Sequence, residues 1–142
     1  KRGDDEAAEE HCHAAIARAP GYGRAYSIYA EMLVDLGRWE EAGAQYQRAI
    51  QLSPEDFVAV FGLAGLRVQQ EQWPNAVPLA QRACALRPRS TEALHLLGAA
   101  CWGQADHAGA IAAYKQLLEL SPEDELARMH LAKARQQRQQ GR

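Results

Sequence analysis

The chain has 142 residues, 47% of them hydrophobic, which is an ordinary composition for one globular domain. Lys and Arg total 16 against 18 Asp and Glu, and the formal net charge of -2 disfavours the strongly basic class of nucleic-acid binders. Because no apolar run approaches the roughly 18 residues that cross a bilayer, we expect no membrane span, and no signal peptide is recognisable.

The first predicted element is a helix over residues 4–18, with Ala8, Cys12, Ala15 and Ile16 along one side. Charge is unevenly spread between the two ends of the chain: Asp4, Asp5, Glu6, Glu9 and Glu10 lie at the amino end, and Arg128, Lys133, Arg135, Arg138 and Arg142 at the carboxyl end. We interpret this as helix-dipole complementarity and solvated surface. A basic docking tail is the alternative.

Two further helices are predicted next. Apolar residues at helical spacing precede Gly37, a helix stop: Tyr22, Tyr26, Tyr29, Ala30 and Leu33. A second stripe runs from about Trp39 to Leu52, through Ala42, Tyr46, Ala49 and Ile50. No stretch shows the sustained alternation of β-branched residues that indicates a strand.

Prolines predict several helix starts. Ser53-Pro54-Glu55-Asp56 and Ser121-Pro122-Glu123-Asp124 combine Ser at the cap, Pro in the first turn and acidic groups near the positive helix end. Pro78 lacks the amide that a helix interior requires, so we expect the helix around it to begin late, near Asn75, with a shortened or bent first turn.

A 34-residue period organises these elements. Pro20, Pro54, Pro88 and Pro122 stand 34 residues apart, and other columns keep the same register. Twelve and eight residues before each proline lie Ala8 and Cys12, Ala42 and Tyr46, Ala76 and Ala80, Ala110 and Tyr114. Earlier columns read Tyr26, Tyr29, Ala30, Leu33, then Val60, Leu63, Ala64, Arg67, then Leu94, Leu97, Gly98, Cys101.

This pattern resembles the tetratricopeptide repeat, a helix-turn-helix unit with Ala, an aromatic residue and Pro at these positions. The resemblance covers nearly the whole chain, with departures at Arg67, Ala80, Cys12 and Leu117. It implies an all-α, right-handed superhelical solenoid of antiparallel helix pairs. Residues 1–142 would form one domain with an amino-terminal half repeat (4–18), three repeats (23–56, 57–90 and 91–124) and a carboxyl-terminal capping helix (123–140).

The two ends of such a stack are exposed, because each unit is stabilised by its neighbours. In the capping helix, Leu126, Met129 and Leu131 are expected to face the last repeat. At the amino end, the half repeat leaves an apolar edge that favours self-association.

In this family the first helices of successive repeats line a concave groove. The faces of these helices that packing does not use, and the capping helix that continues the row with Met129 and Lys133, supply the candidate partner-binding residues. They are Arg24, Ser27, Glu31, Val58, Phe61, Gly65, Val68, Gln69, His95, Ala99, Trp102, Met129 and Lys133. Val34 and Glu92 lie on the same faces. Apolar area with a few orienting polar groups suits an extended or helical peptide that carries an apolar anchor.

Two alternatives bear on this site. Phe61 and Trp102 could pack within the solenoid instead, since apolar residues at helical spacing usually form core. Some tetratricopeptide proteins bind chaperone carboxyl termini through Lys, Asn and Arg. Here the corresponding row reads Ser27, Glu31, Phe61, Gly65, His95 and Ala99, so we expect no such carboxylate recognition.

Other clusters favour structural roles. His11-Cys12-His13 does not predict a metal site, because alternate helix residues point to different sides. His95 and Cys101, six apart, do not form a thiol-imidazole pair, and His107 is expected at the surface. Trp39 and Trp73 share a register position that favours a structural role, and the three cysteines are expected as buried free thiols.

These observations predict a non-catalytic scaffold that binds a partner protein, with no cofactor, metal or nucleic acid. The alternative is a regulatory or targeting segment of a larger enzyme or of an envelope or secretion assembly. The excess of Arg over Lys and the many alanines indicate a bacterial source. We expect a cytoplasmic location. A periplasmic one remains the alternative, since the chain starts within a repeat and without Met.

Overall fold

The computed structural model describes residues 2–141, which form eight α-helices and contain no strand, as the sequence predicted. Arg142, counted above with the basic carboxyl end, lies outside the described residues. The helices are Arg2–Arg18 (α1), Gly23–Asp35 (α2), Trp39–Leu52 (α3), Phe57–Gln69 (α4), Trp73–Leu86 (α5), Thr91–Gly103 (α6), His107–Leu120 (α7) and Glu125–Gln140 (α8).

The chain divides into two compact units, Lys1–Leu66 and Arg67–Arg142, which we call the amino-terminal and the carboxyl-terminal unit. In the amino-terminal unit, α1 packs against α2, and α2 against α3. In the carboxyl-terminal unit, each helix from α5 to α8 packs against the next. The repeat boundaries given above stay a prediction.

All four prolines of the 34-residue period lie in the same kind of tight turn, and this corrects the predicted role of Ser53 and Ser121. The Asp56 amide donates to the Ser53 carbonyl at 3.1 Å, so Pro54 takes the second position of a four-residue turn, where its fixed φ is favourable. Ser53 ends α3 rather than starting α4. The carboxylate before the new helix is the cap, since Asp56 Oδ1 accepts from the Ala59 amide at 3.3 Å.

The same correction holds two repeats later. Ser121 ends α7, and Asp124 caps α8 by accepting from the Ala127 amide at 2.9 Å. Between α5 and α6, Ser90 both closes the turn and caps α6. Its amide donates to the Arg87 carbonyl, and its hydroxyl accepts from the Ala93 amide. One turn per repeat therefore ends one helix and begins the next.

Within each helix pair, the first helix ends at a residue with a positive φ, and a short turn then leads into the second helix. Gly37 has φ 74°, its amide donates to Val34, and the Arg38 amide donates to Leu33, which is the Schellman pattern. The predicted helix stop at Gly37 is thus confirmed. Glu71 and Ala105 take the same place with φ of 56° and 63°, although neither is glycine.

The prediction that the helix around Pro78 begins late is wrong, because α5 begins at Trp73. The Asn75 and Ala76 amides both donate to the Gln72 carbonyl and close the first turn. Pro74, in that first turn, replaces an amide that has no partner inside the helix. Pro78 forgoes one backbone hydrogen bond, and the burial of its neighbours Val77 and Ala76 holds the helix in place.

The core of the carboxyl-terminal unit is a continuous apolar cluster. It includes Leu94, Leu117 and Leu131, with many small alanines between helices. The predicted contact of α8 is correct for Leu131 only, since Leu126 and Met129 are 49% and 45% exposed. The buried stripe of α8 follows a different helical register: Ala127, Leu131 and Ala134.

In the amino-terminal unit, α1 is attached by polar groups, and none of its described residues is fully buried. Arg38 donates to Glu9 Oε2 at 2.8 Å and makes a two-bonded pair with Glu41. The Tyr29 hydroxyl donates to Glu9 Oε1 at 2.8 Å and lies 3.0 Å from His13 Nε2. Arg38 hydrogen bonds lower the pKa of Glu9 below its usual 4.5.

Candidate partner-binding site

A pocket of about 500 Å³ opens in the carboxyl-terminal unit. Four of its five contributing helices supply aromatic or long side chains, and α4 supplies one aliphatic one. The lining consists of Val68 from α4, Trp73 from α5, Ala99, Trp102 and Gly103 from α6, Tyr114 from α7, and His130 and Lys133 from α8. We call this the anchor pocket.

Glycines let two of the aromatic rings lie close to α6. A Cβ added at Gly103 would come within 2.5 Å of the Trp73 ring, and one at Gly98 within 2.5 Å of the Tyr114 ring. Since real Cβ atoms do not approach that closely, both rings occupy space that only glycine leaves open. Trp73 therefore has the structural role predicted for it, and it also forms part of the pocket wall.

Trp102 is the exposed edge of the pocket. Its side chain is 37% exposed, and its ring meets that of His107 edge-on with centroids 5.5 Å apart. The prediction that His107 lies at the surface is correct only in part: the residue is half-buried, and its Nδ1 is buried without a hydrogen bond among the described residues. Its position at the start of α7, after the Asp106 cap, turns the ring toward α6.

The pocket contains one positive charge at neutral pH. Burial is the main cause that lowers the pKa of His130, and electrostatic interactions with Lys133 and the neighbouring His95 lower it further, so this imidazole is neutral at pH 7. Burial also raises the pKa of the Tyr114 phenol to about 12. Lys133, exposed on α8, is left as the group that can attract an anion.

The pocket brings together four residues chosen from the sequence: Val68, Ala99, Trp102 and Lys133. Met129 lies one helical turn before Lys133 and is 45% exposed, which adds apolar surface on α8. His95 is nearby in sequence but already engaged, because its Nε2 lies 2.9 Å from Asp124 Oδ2. Gln69 is exposed and does not line the pocket.

Sequence reasoning missed four lining residues as ligand contacts: Trp73, Gly103, Tyr114 and His130. Trp73 was assigned a structural role, which is correct but incomplete, and Tyr114 was noted only as a column of the 34-residue period. A signal for His130 was present, since it lies three residues before Lys133 and so shares its helix face.

The candidates of the amino-terminal unit form no comparable site. Arg24 and Glu31 are exposed, whereas Ser27 is fully buried and its hydroxyl donates to the Arg24 carbonyl. Val58 is half-buried, and Phe61 stacks on Phe57 at 5.4 Å. Gly65 has open space where a side chain would be. A depression of about 660 Å³ includes Arg24 and is otherwise lined by Tyr22, Ser53, Pro54, Glu55 and Asp56.

Residues 2–141 contain no group of three or more His, Cys, Asp or Glu arranged to hold a metal ion. Within the same part of the chain, no helix is both long and apolar enough to cross a membrane. The expectation that the three cysteines are buried is correct for Cys101 only, because Cys12 and Cys84 are half-buried. Burial raises the pKa of the Cys101 thiol to about 11, which keeps it protonated and unreactive at neutral pH.

The chain is similar in sequence or in structure to several known proteins. The Hsp70-Hsp90 organizing protein of Triticum aestivum is 32% identical over 99 residues, which are 70% of this chain and 17% of that protein. MamA 41-end from Desulfovibrio magneticus RS-1 has a similar structure, with a TM-score of 0.87 and 22% identity over 97% of this chain and 78% of that one. The first TPR of Spaghetti (RPAP3), bound to HSP90 peptide SRMEEVD, gives a TM-score of 0.75 and 23% identity over 81% and 91%.

Two family matches carry the assignment. Residues 61–125 match the family described as tetratricopeptide repeat, and residues 30–66 match a TPR repeat family. The matched stretches together include most of the chain, and the structural neighbours have the same all-α helical-repeat solenoid fold. The chain belongs to the tetratricopeptide repeat family.

Proposed function

We propose that this chain is a non-catalytic protein-interaction module, and that its anchor pocket binds an apolar side chain of a partner protein. The observation that carries the proposal is the pocket itself, with three aromatic side chains, Trp73, Trp102 and Tyr114, around about 500 Å³. That volume falls within the range of roughly 300–1,000 Å³ typical of ligand sites. Aromatic residues in such pockets commonly carry most of the binding energy.

A polypeptide suits this surface better than an isolated small molecule. Trp102 and Met129 remain 37% and 45% exposed, so apolar area continues outside the pocket, where a peptide backbone or helix face would lie. Lys133 offers a positive charge beside it. We therefore expect an extended or helical segment with a large apolar anchor and a nearby carboxylate. The wider concave groove expected of the family stays part of this proposal.

The proposal is tested with peptides selected from a random display library against the immobilised chain, followed by fluorescence anisotropy. Trp102→Ala should weaken the best peptide by roughly ten- to thirtyfold, the loss expected of a hot-spot residue. Trp39→Ala is the matched control, since Trp39 is 41% exposed and does not line the pocket. Equal affinities for Trp102→Ala and the unchanged chain, or equal losses in both variants, would refute the assignment.

Filling the pocket gives an independent test. Ala99→Phe places a ring where the peptide anchor is expected, on a half-buried position of the lining. Binding should be lost while the circular dichroism spectrum stays helical. Retained binding in a folded Ala99→Phe chain would mean that the anchor lies elsewhere.

The peptide bound by the RPAP3 repeat domain provides a negative control. SRMEEVD ends in a free carboxylate, whereas none of the six residues in the corresponding row of this chain is Lys or Arg, and Glu31 in that row is exposed and acidic. We expect SRMEEVD and its carboxyl-terminal amide to bind equally weakly. A strong preference for the free carboxylate would show that another cation of this chain recognises it.

A further inference from the structure

A second depression in the carboxyl-terminal unit has a different chemistry from the anchor pocket. It measures about 360 Å³ and is lined by Ile111 and Lys115 of α7 and by Arg135, Arg138 and Gln139 of α8. We call it the basic depression. Three of its five lining residues carry a permanent positive charge, although the whole chain has a net charge of -2.

None of these three cations is neutralised within the described part of the chain, residues 2–141. Lys115, Arg135 and Arg138 take part in none of its salt bridges. The only acidic residue of α7 is Glu119, one turn after Lys115, and the only one of α8 is Glu125, in its first turn. Like charges that converge and form no ion pair among the described residues raise the local positive potential, which attracts an anionic partner.

We propose that the basic depression binds an acidic, Asp- or Glu-rich segment of a partner polypeptide. Guanidinium groups pair with carboxylates through two parallel hydrogen bonds, and Arg135 and Arg138 supply two of them on adjacent turns of α8. Gln139 can donate to a carbonyl or a carboxylate, and Ile111 offers apolar contact to aliphatic parts of the segment.

Size favours several carboxylates over one compact anion. A volume of about 360 Å³ holds roughly ten water molecules, at about 30 Å³ each, and so exceeds what a single phosphate would fill. Three cations distributed around such a space suit an acidic segment with more than one side chain. Because these ion pairs are exposed, each contributes little, and the binding should be weak and sensitive to salt.

The test uses the full chain and a short fluorescein-labelled Glu-rich peptide, with a Lys-rich peptide of equal length as a control, in fluorescence anisotropy. We expect binding of the Glu-rich peptide only, with a marked loss between about 50 and about 200 mM salt. Arg135→Glu, Arg138→Glu and Lys115→Glu should each weaken it roughly three- to tenfold.

Arg89→Glu is the matched control, because it makes the same charge change on an exposed residue of the same unit outside the depression. Equal weakening by Arg89→Glu would show that net charge alone acts, and would overturn the proposal. Trp102→Ala should leave the affinity for the Glu-rich peptide unchanged, which separates this site from the anchor pocket.

Two further outcomes would replace the proposed occupant. Displacement of the peptide by inorganic phosphate, but not by chloride at equal ionic strength, would assign the depression to a compact anion. Dimerisation at low salt, measured by light scattering and abolished by Asp4→Lys with Asp5→Lys, would assign it to the exposed acidic turn of α1 from a second copy.

Discussion

The two units of the chain use the same repeat but differ in charge and in how their outer helices are held. Residues 1–66 carry six basic and eleven acidic residues, a net charge of -5, whereas residues 67–142 carry ten and seven, a net of +3. In the amino-terminal unit, α1 is attached largely by Arg38, Glu9 and Tyr29. In the carboxyl-terminal unit, α8 adds Ala127, Leu131 and Ala134 to a continuous apolar core.

This difference shows that the 34-residue register determines where helices and turns lie in both units. The charge and polarity of the remaining side chains can still differ between the units. In the carboxyl-terminal unit, Gly103 and Gly98 of α6 leave the space in which Trp73 and Tyr114 line a pocket. The amino-terminal unit places a polar network where the other has apolar contacts. Both proposed binding sites lie in the carboxyl-terminal unit.

The largest expected effect tests that core. Leu117 is fully buried in the apolar cluster, and Leu117→Ala should lower the free energy of unfolding by about 2–5 kcal/mol, through lost transfer free energy and the cavity left behind. Urea denaturation followed by circular dichroism measures the change. Leu126→Ala, at a side chain that is 49% exposed, should change stability by less than about 0.5 kcal/mol. A loss for Leu117→Ala no greater than for Leu126→Ala would contradict the burial of this core.

Gly37→Ala tests the helix connection of the amino-terminal unit. Nothing lies within 4 Å of the added methyl group, so the cost comes from φ 74° alone, and we expect a loss of about 1 kcal/mol. Gly21→Ala is the matched control, since it also has open space but no left-handed φ. Similar stabilities for the two variants by urea denaturation would argue against strain at position 37.

Most of the fold could be predicted from the sequence because the 34-residue period repeats both helix stripes and turn residues. The exact bounds of α3, Trp39–Leu52, follow from its stripe and from Gly37. The wrong predictions concern residues whose local sequence pattern fits two different structural roles. Ser53 suits a helix cap, but here it ends one helix and Asp56 caps the next, and Pro78 is tolerated because tertiary burial outweighs one missing hydrogen bond.

The candidate site was harder to predict, because a pocket depends on which helices meet. The repeat register predicted Val68, Ala99 and Trp102 on first-helix faces and Lys133 in the same row on the capping helix, and the structure brings the four together. Trp73 joins them because its ring packs against Gly103. These two residues are thirty positions apart in the sequence, so a local pattern could not predict their contact. Periodicity also could not reveal that Ser27 is fully buried.

Ala105→Gly tests whether the carboxyl-terminal unit carries strain that the amino-terminal unit avoids. Ala105 has φ 63° at the position that glycine occupies in the first helix pair. Relief of this strain should exceed the extra entropy of glycine in the unfolded chain, giving a gain of about 0.5 kcal/mol. The measurement is the urea midpoint, with Ala112→Gly, at an exposed position inside α7, as a control that should lose stability. A loss in both variants would mean that Ala105 is unstrained.

The smallest effect concerns the polar attachment of α1. The pKa of Glu9 is lowered, first by its hydrogen bond from Arg38 and then by that from Tyr29, so ionised Glu9 stabilises the folded chain above pH 4.5. This contribution is lost as the pH falls through the lowered folded-state value. Glu9→Gln should therefore reduce the urea midpoint at pH 7, and the difference from the unchanged chain should shrink as the pH falls below 4.5. Glu10→Gln, at the exposed neighbouring position, should follow the unchanged chain throughout. If Glu9→Gln does so too, the carboxylate contributes nothing measurable, and α1 is held by its packing against α2 alone.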